Sequence, residues 1–167
     1  ADHPRDDDGE IGDAYRIFTN NPSFADGLHP DEGYEIQPMN NVTIQNLQLE
    51  GQKDEYFEEF GEEDKYSGHG IYSDPDGTIV KNWVFQNLWT HNFDTAGISV
   101  DQADVMIDGL RSWNNNSHGL GVDAPGFRVT ANNIIAWDNH GYGIDIGASR
   151  PVISNFHLYE NDFGFKS

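Results

Sequence analysis

Apolar residues recur along this chain in short alternating runs that can be laid over one another. Five stretches align without gaps: VTIQNLQLE (42–50), WVFQNLWTH (83–91), VMIDGLRSW (105–113), VTANNIIAW (129–137) and PVISNFHLY (151–159). Their fifth position is Asn46, Asn87, Gly109, Asn133 or Asn155. Leu47, Leu88, Leu110, Ile134 and Phe156 follow it, and Ile44, Phe85, Ile107, Ala131 and Ile153 stand two before it. Alternation of this kind is the period of a strand, and helical periodicity is absent throughout.

A second, shorter strand precedes four of these segments: GIYSD (70–74), GISVD (97–101), GLGVD (119–123) and GIDIG (143–147), with GFKS (164–167) starting another. The later fifth positions are separated by 22, 24 and 22 residues, after one gap of 41. Such a period, with Gly or Asn at the corners, predicts an all-β chain: a right-handed parallel β-helix of about five coils. One coil cannot bury its inward side chains alone, but coils stacked roughly 4.8 Å apart form continuous apolar columns. Asn at a corner adopts the left-handed conformation and passes amide hydrogen bonds up the stack. Gly109 takes the same bend but must interrupt that ladder.

The repeat divides the chain. Residues 1–40 form a non-repeat N-terminal segment, expected to be partly flexible, and 41–167 the β-helix. The acidic stretch GQKDEYFEEFGEEDKYS (51–67) accounts for the long gap as a loop inserted between the first two coils. It is either one wall of a binding groove or a solvated excursion. The chain stops as GFKS begins a strand, with nothing resembling a polar cap. That leaves a piece of a longer protein, or coil ends covered head-to-tail by another copy.

Charge narrows the partners. Nine Lys and Arg stand against 29 Asp and Glu, a net charge of −20. This argues against nucleic acid and anionic membrane, which need basic residues to neutralise phosphate. The acidity suits a secreted or cell-surface protein, a high-salt habitat or an ordinary soluble surface. With no cysteine there is neither a disulfide nor a thiolate metal site. No apolar run approaches the roughly 20 residues of a membrane helix, and no basic-then-apolar leader opens the chain, so an export signal, if used, has been removed.

Stacking the coils brings candidate chemistry into columns. Asp74, Asp101 and Asp123 share one at the end of the shorter strand, with Gly147 next. Carboxylates in register repel unless a cation, a basic side chain, a raised pKa or water compensates, so this column is the candidate calcium site. The opposing account is a set of solvated turn residues satisfying backbone amides. Two positions earlier lie Tyr72, Ser99, Gly121 and Asp145, and before the strand's glycine His69, Ala96, His118 and Tyr142. His, Tyr and Asp on one face are equipment for general acid–base work. His69 and His118 lie two coils apart, roughly 10 Å by the coil rise, too far to share a zinc ion. Outward columns of Trp89, Arg111, Ile135 and His157, and of His91, Trp113, Trp137 and Tyr159, present rings that either stack on sugars or pack the corner between coils.

On these residues the chain resembles the right-handed parallel β-helix superfamily of polysaccharide lyases, epimerases and hydrolases. Residues 41–140 are most similar to the catalytic module of mannuronan C5-epimerases. That family carries a VTI strand, SGYGFDPHEQT and a coil ending GFVAD; here stand VTIQNLQLEG, SGHGIYSDPDGT and GISVD. The family's catalytic set is a Tyr, an Asp and a His in that motif and the Asp of the next coil, which maps onto Asp101. Without gaps the first three fall on His69, Tyr72 and Asp74; aligning the Asp-Pro pairs places the Asp at Asp74 and the His at Asp76. The motif's own His is replaced, although a His and a Tyr remain nearby.

The resemblance implies a polyuronate C5-epimerase or lyase with no organic cofactor. Asp101 and Asp74 would engage the uronate carboxyl, His69 would abstract the C5 proton, and Tyr72 would donate from the other side. Asp123, Asp145, Arg111 and Lys81 are the expected substrate-binding residues, the last two because a polyanion needs a cation. The competing expectation is a non-catalytic structural or adhesive solenoid that assembles end to end.

Overall fold

The structure is a computed structural model that describes residues 18–19, 40–51, 68–73, 80–101 and 103–167. Among these it contains nine strands and no helix. They are β1 (Phe18–Thr19), β2 (Thr43–Glu50), β3 (Ile71–Ser73), β4 (Val80–His91), β5 (Ile98–Asp101), β6 (Ala103–Trp113), β7 (Leu120–Trp137), β8 (Tyr142–Tyr159) and β9 (Phe163–Lys166). Every pairing is parallel, and each long strand lies against the corresponding strand of the next coil. The chain is therefore a parallel β-solenoid.

Its register is that of the five aligned segments. Leu47, Leu88, Leu110, Ile134 and Phe156 are successive partners, as are Ile44, Phe85, Ile107, Ala131 and Ile153. The inner parts of these columns are buried, with Phe85, Leu110 and Ile134 at 1% exposure or less. Fully burying a Leu, Ile or Phe stabilises by about 1.5–3 kcal/mol, so the stacked columns supply the main driving force. The solenoid makes about four turns rather than about five. Five long strands bound four intervals, and β9 only opens the next turn.

The shorter strands are less separate than their sequences suggest. β7 and β8 each run 18 residues around a corner, their mutual register shifting between Ala124 and Arg128. A bulge bends the strand there without ending its pairing. Within the non-repeat N-terminal segment, Phe18 and Thr19 pair with Ile71 and Tyr72 and so extend the stack of shorter strands. The rest of that segment up to residue 39, residues 52–67 of the expected acidic loop, and Asp74 and Asp76 lie outside the described residues.

Three amide arrays hold the corners. Asn46, Asn87, Asn133 and Asn155 have φ between 50° and 56°, and Gly109 has φ of 81°. Asn87 Nδ2 donates to Asn46 Oδ1, and the ladder does break at Gly109. The preceding column then takes over: Asn133 donates to Asp108, and Asn155 to Asn132. At the next corner Asn114 donates to Asn92.

The third array is internal. Asn115 and Asn139 are 0% and 1% exposed. The Asn115 amide N–H donates to Asn139 Oδ1 at 3.2 Å and its Nδ2 to the same oxygen at 2.8 Å. Asn139 repeats both bonds to Asn161 Oδ1. The Phe93 N–H donates to Asn115 Oδ1, so the phenylalanine caps the ladder at its upper end. The following glycines leave room for it: a Cβ on Gly119 would lie 2.8 Å from the Gly143 carbonyl and 3.1 Å from Asn139 Nδ2.

Candidate functional site

Strand alternation turns two columns of the shorter-strand face outward. Tyr72, Ser99, Gly121 and Asp145 are successive partners, and Asp145 pairs onward with Lys166 of β9. Beside them Asp101 pairs with Asp123, and Asp123 with Gly147. Each column contains a glycine where its neighbours carry side chains. Gly121 and Gly147 thereby open a hollow of about 380 Å³. Its polar lining is Ser99, Asp101, His118, Asp123, Asp145, Lys166 and Ser167. Asp123 leans over the second glycine, since a Cβ on Gly147 would meet its Oδ1 at 2.9 Å.

The hollow contains one ordered charge pair. Lys166 Nζ donates to Asp145 Oδ2 at 2.9 Å and lies 5.3 Å from the centre of the Tyr142 ring. The Asp145 hydrogen bond and charge push the lysine's pKa up. His118 stands on the other side, its Nε2 at 3.9 Å from Asp145 Oδ2. Its Nδ1 accepts the Tyr142 backbone N–H at 3.0 Å. Because that lone pair is used, the neutral imidazole carries its proton on Nε2 and faces the hollow as a donor. Burial lowers the His118 pKa below its ordinary 6.5, opposed by Asp145 and assisted by Lys166. At neutral pH the site therefore offers a neutral N–H donor, an ammonium and carboxylates.

The expected site residues are distributed unevenly. Asp101, Asp123 and Asp145 meet in the hollow. His69 and Tyr72 share one coil, the one before Ser99 and Asp101, stacked on each other with ring centres 4.5 Å apart, and neither lines it. Placing them on opposite sides of one sugar, as proton acceptor and donor, does not fit that stacking. Lys81 is exposed at the start of β4, where its backbone N–H donates to Asn40 Oδ1. Arg111 lies over Trp89 at 5.0 Å on a different face. The hollow's cation is Lys166, and its histidine is His118.

Among the described residues no three His, Asp or Glu groups converge as metal ligands. Asp101 and Asp123 alone are too few for the six to eight oxygens of calcium. A cation there would have to take its other ligands from water or from a bound sugar.

The second aromatic column resolves into corner packing. His91 and Trp113 stack at 4.2 Å and 10°, Trp113 and Trp137 at 4.7 Å and 5°, and Trp137 and Tyr159 at 5.7 Å and 6°. Ring faces occupied by other rings are not available to a sugar. His91 is 6% exposed and receives the Gln48 amide on Nε2. Comparison with protein-family models, curated proteins and solved structures finds no match for this chain. The groups in the hollow are therefore the basis for a functional reading.

Proposed function

We propose that this protein binds and acts on a polysaccharide of the polyuronate class, seating one sugar unit in the hollow between Ser99 and Lys166. The observation that carries the reading is Lys166, a cation on the wall of an otherwise acidic hollow of sugar-accommodating size. A uronate carboxylate would pair with Lys166, and His118 Nε2 would donate to a ring or glycosidic oxygen. Asp123 or Asp101 would remove the C5 proton, because the imidazole that presents N–H rather than a lone pair is not the base. Re-protonation of C5 from the opposite face by a water molecule gives epimerisation; departure of the glycosidic oxygen, which takes its proton from water, gives β-elimination.

Three carboxylates against one lysine leave the hollow negative, so binding of a polyanion is expected to require a divalent cation between Asp101 and the sugar, with Asp123 then acting as the base. Calcium is the ion this reading favours, and an extracellular location follows from the substrate. The test is proton NMR of polyuronates incubated with the protein in deuterated water, with and without calcium. Loss of the C5 proton signal that disappears in Asp123→Asn or Lys166→Gln supports the reading. Absence of exchange with every polymer and both cation conditions refutes the enzyme.

A second reading rests on the last coil. Val152, Phe156, Phe163 and Phe165 are 61%, 48%, 56% and 42% exposed. Among the described strands, the Pro151–Tyr159 part of β8 pairs only with β7. A solenoid that joins head to tail through this edge would be structural or adhesive rather than catalytic. Electron microscopy distinguishes the two, since filaments that vanish in Phe156→Ser/Phe165→Ser would favour assembly.

A further inference from the structure

A different face of the solenoid carries a charge arrangement that the chain's composition makes unexpected. Arg128 of β7 and Arg150 of β8 are direct register partners on the face formed by the first halves of the long strands. Both are exposed, and both point the same way as Thr130 and Val152, two residues further on. Parallel neighbours lie roughly 4.8 Å apart, where two like charges in water repel by somewhat under about 1 kcal/mol. In a protein with only nine basic residues against 29 acidic ones, two arginines occupy adjacent rungs.

Acidic residues on the same face offset them only in part, Asp104 pairing with Arg128 and no ion pair holding Arg150 among the described residues. Asp104 accepts the Arg128 backbone N–H at 2.9 Å and lies 4.0 Å from one guanidinium nitrogen. This orients Arg128 and leaves most of its five N–H donors for other partners. Asp108 is engaged by the side-chain amides of Asn132 and Asn133. Alongside runs a shallow groove of about 280 Å³ lined by Asn82, Val84, Asp104, Met106, Arg128 and Thr130, with Arg150 one rung beyond its lining as the register partner of Arg128. Met106 is 42% exposed, so the groove offers an apolar strip beside a cationic edge.

We infer that this groove is a second binding site, for an anionic sugar chain whose carboxylate or sulfate is held by Arg128 and Arg150. Guanidinium groups bind planar and tetrahedral oxyanions through paired N–H donors. The apolar strip provides a seat for sugar C–H faces, and the rung spacing is close to the length of one sugar unit. Arg150 also follows Gly147 by three residues in the same strand, at most about 10 Å at the strand rise. The hollow and the arginine pair thus occupy adjoining faces across one corner, so a single long chain can engage both. The charge arrangement stands without the catalytic reading of the hollow; only that joint engagement rests on it.

The test uses the whole protein labelled with nitrogen-15. Hexamers of galacturonate, of a sulfated galactan and of neutral galactan are titrated in turn while the side-chain N–H signals of Arg128 and Arg150 and the imidazole signals of His118 are followed. An anionic hexamer should move the arginine signals, and Arg128→Gln/Arg150→Gln should weaken that binding at least 10-fold. Lys166→Gln should leave the arginine response in place. Comparison of the carboxylated and sulfated hexamers tells which oxyanion is held. Unmoved arginine signals, unchanged affinity in a double variant that retains its circular dichroism, or equal binding of the neutral hexamer would each overturn the inference. Movement at His118 alone leaves the hollow and removes this site; movement at the arginines alone does the reverse.

Discussion

Replacing Asn139 by alanine removes the centre of the internal ladder while leaving every apolar column untouched. The side chain accepts from Asn115 N–H and Asn115 Nδ2 and donates to the Ser112 carbonyl, the Trp137 carbonyl and Asn161 Oδ1. Alanine makes none of these bonds. The Asn115 amide is then buried without its acceptor, at about 1–3 kcal/mol, while each further lost bond is worth about 0.5–1.5 kcal/mol. Water entering the vacated space recovers part of this, so the expected loss is about 3–5 kcal/mol, a large share of the 5–15 kcal/mol that holds a typical domain. Urea unfolding followed by tryptophan fluorescence is the assay, since Trp137 lies two residues away and is stacked on Trp113. The comparison is Asn133→Ala on the exposed ladder, where forcing alanine into φ of 56° costs about 1–2 kcal/mol. If Asn139→Ala costs no more than Asn133→Ala, the buried ladder is not a principal support of the corner and the reasoning fails.

Two further outcomes probe the hollow. His118 should titrate below 6.5 by NMR, further below in Asp145→Asn and less far in Lys166→Gln; a midpoint at or above 6.5 in the native protein contradicts the burial argument. As pH falls from about 6.5 through the folded midpoint, the unfolded chain takes up this proton first, so its contribution to stability is full above that window and declines within it. Gly121→Val should weaken saccharide binding at least 10-fold with melting temperature nearly unchanged. A Cβ there has its nearest neighbour at 3.4 Å, leaving the added methyls to occupy the hollow. Unaltered binding, measured calorimetrically, would mean that sugars do not enter it.

The columns of the solenoid were legible because inward positions repeat with little variation. Leu88, Leu110 and Ile134 align in the sequence alone, and the left-handed Asn positions with them. The internal ladder is less legible although its signal is present: Asn115, Asn139 and Asn161 each stand two residues after an aromatic. They lie in stretches rich in Asn, Asp, Ser and Gly, a composition typical of solvated turns, and only the three-dimensional path shows those amides facing inward. Lys166 is hard to read from sequence for another reason. The strand GFKS reads only as the start of a coil, and it takes one register step of the Tyr72–Asp145 column to bring Lys166 beside Asp145. Lys81 and Arg111 stand out in the sequence by charge alone, and charge does not specify a face.

The same geometry explains why fold and site differ in legibility. On every rung an inward residue meets the same neighbours above and below, so packing restricts it to a few apolar types, and the repeat survives in the sequence. An outward residue meets solvent and is restricted only where something must bind or pair. The hollow is made by two omissions, Gly121 and Gly147, and by contacts such as Lys166 to Asp145 that cross between rungs. Neither has a periodic signature. In a solenoid of this kind, functional positions are therefore to be sought where an outward column breaks its own pattern. By that criterion the two strongest breaks are the glycines beneath the acidic hollow and the paired arginines across the corner from it.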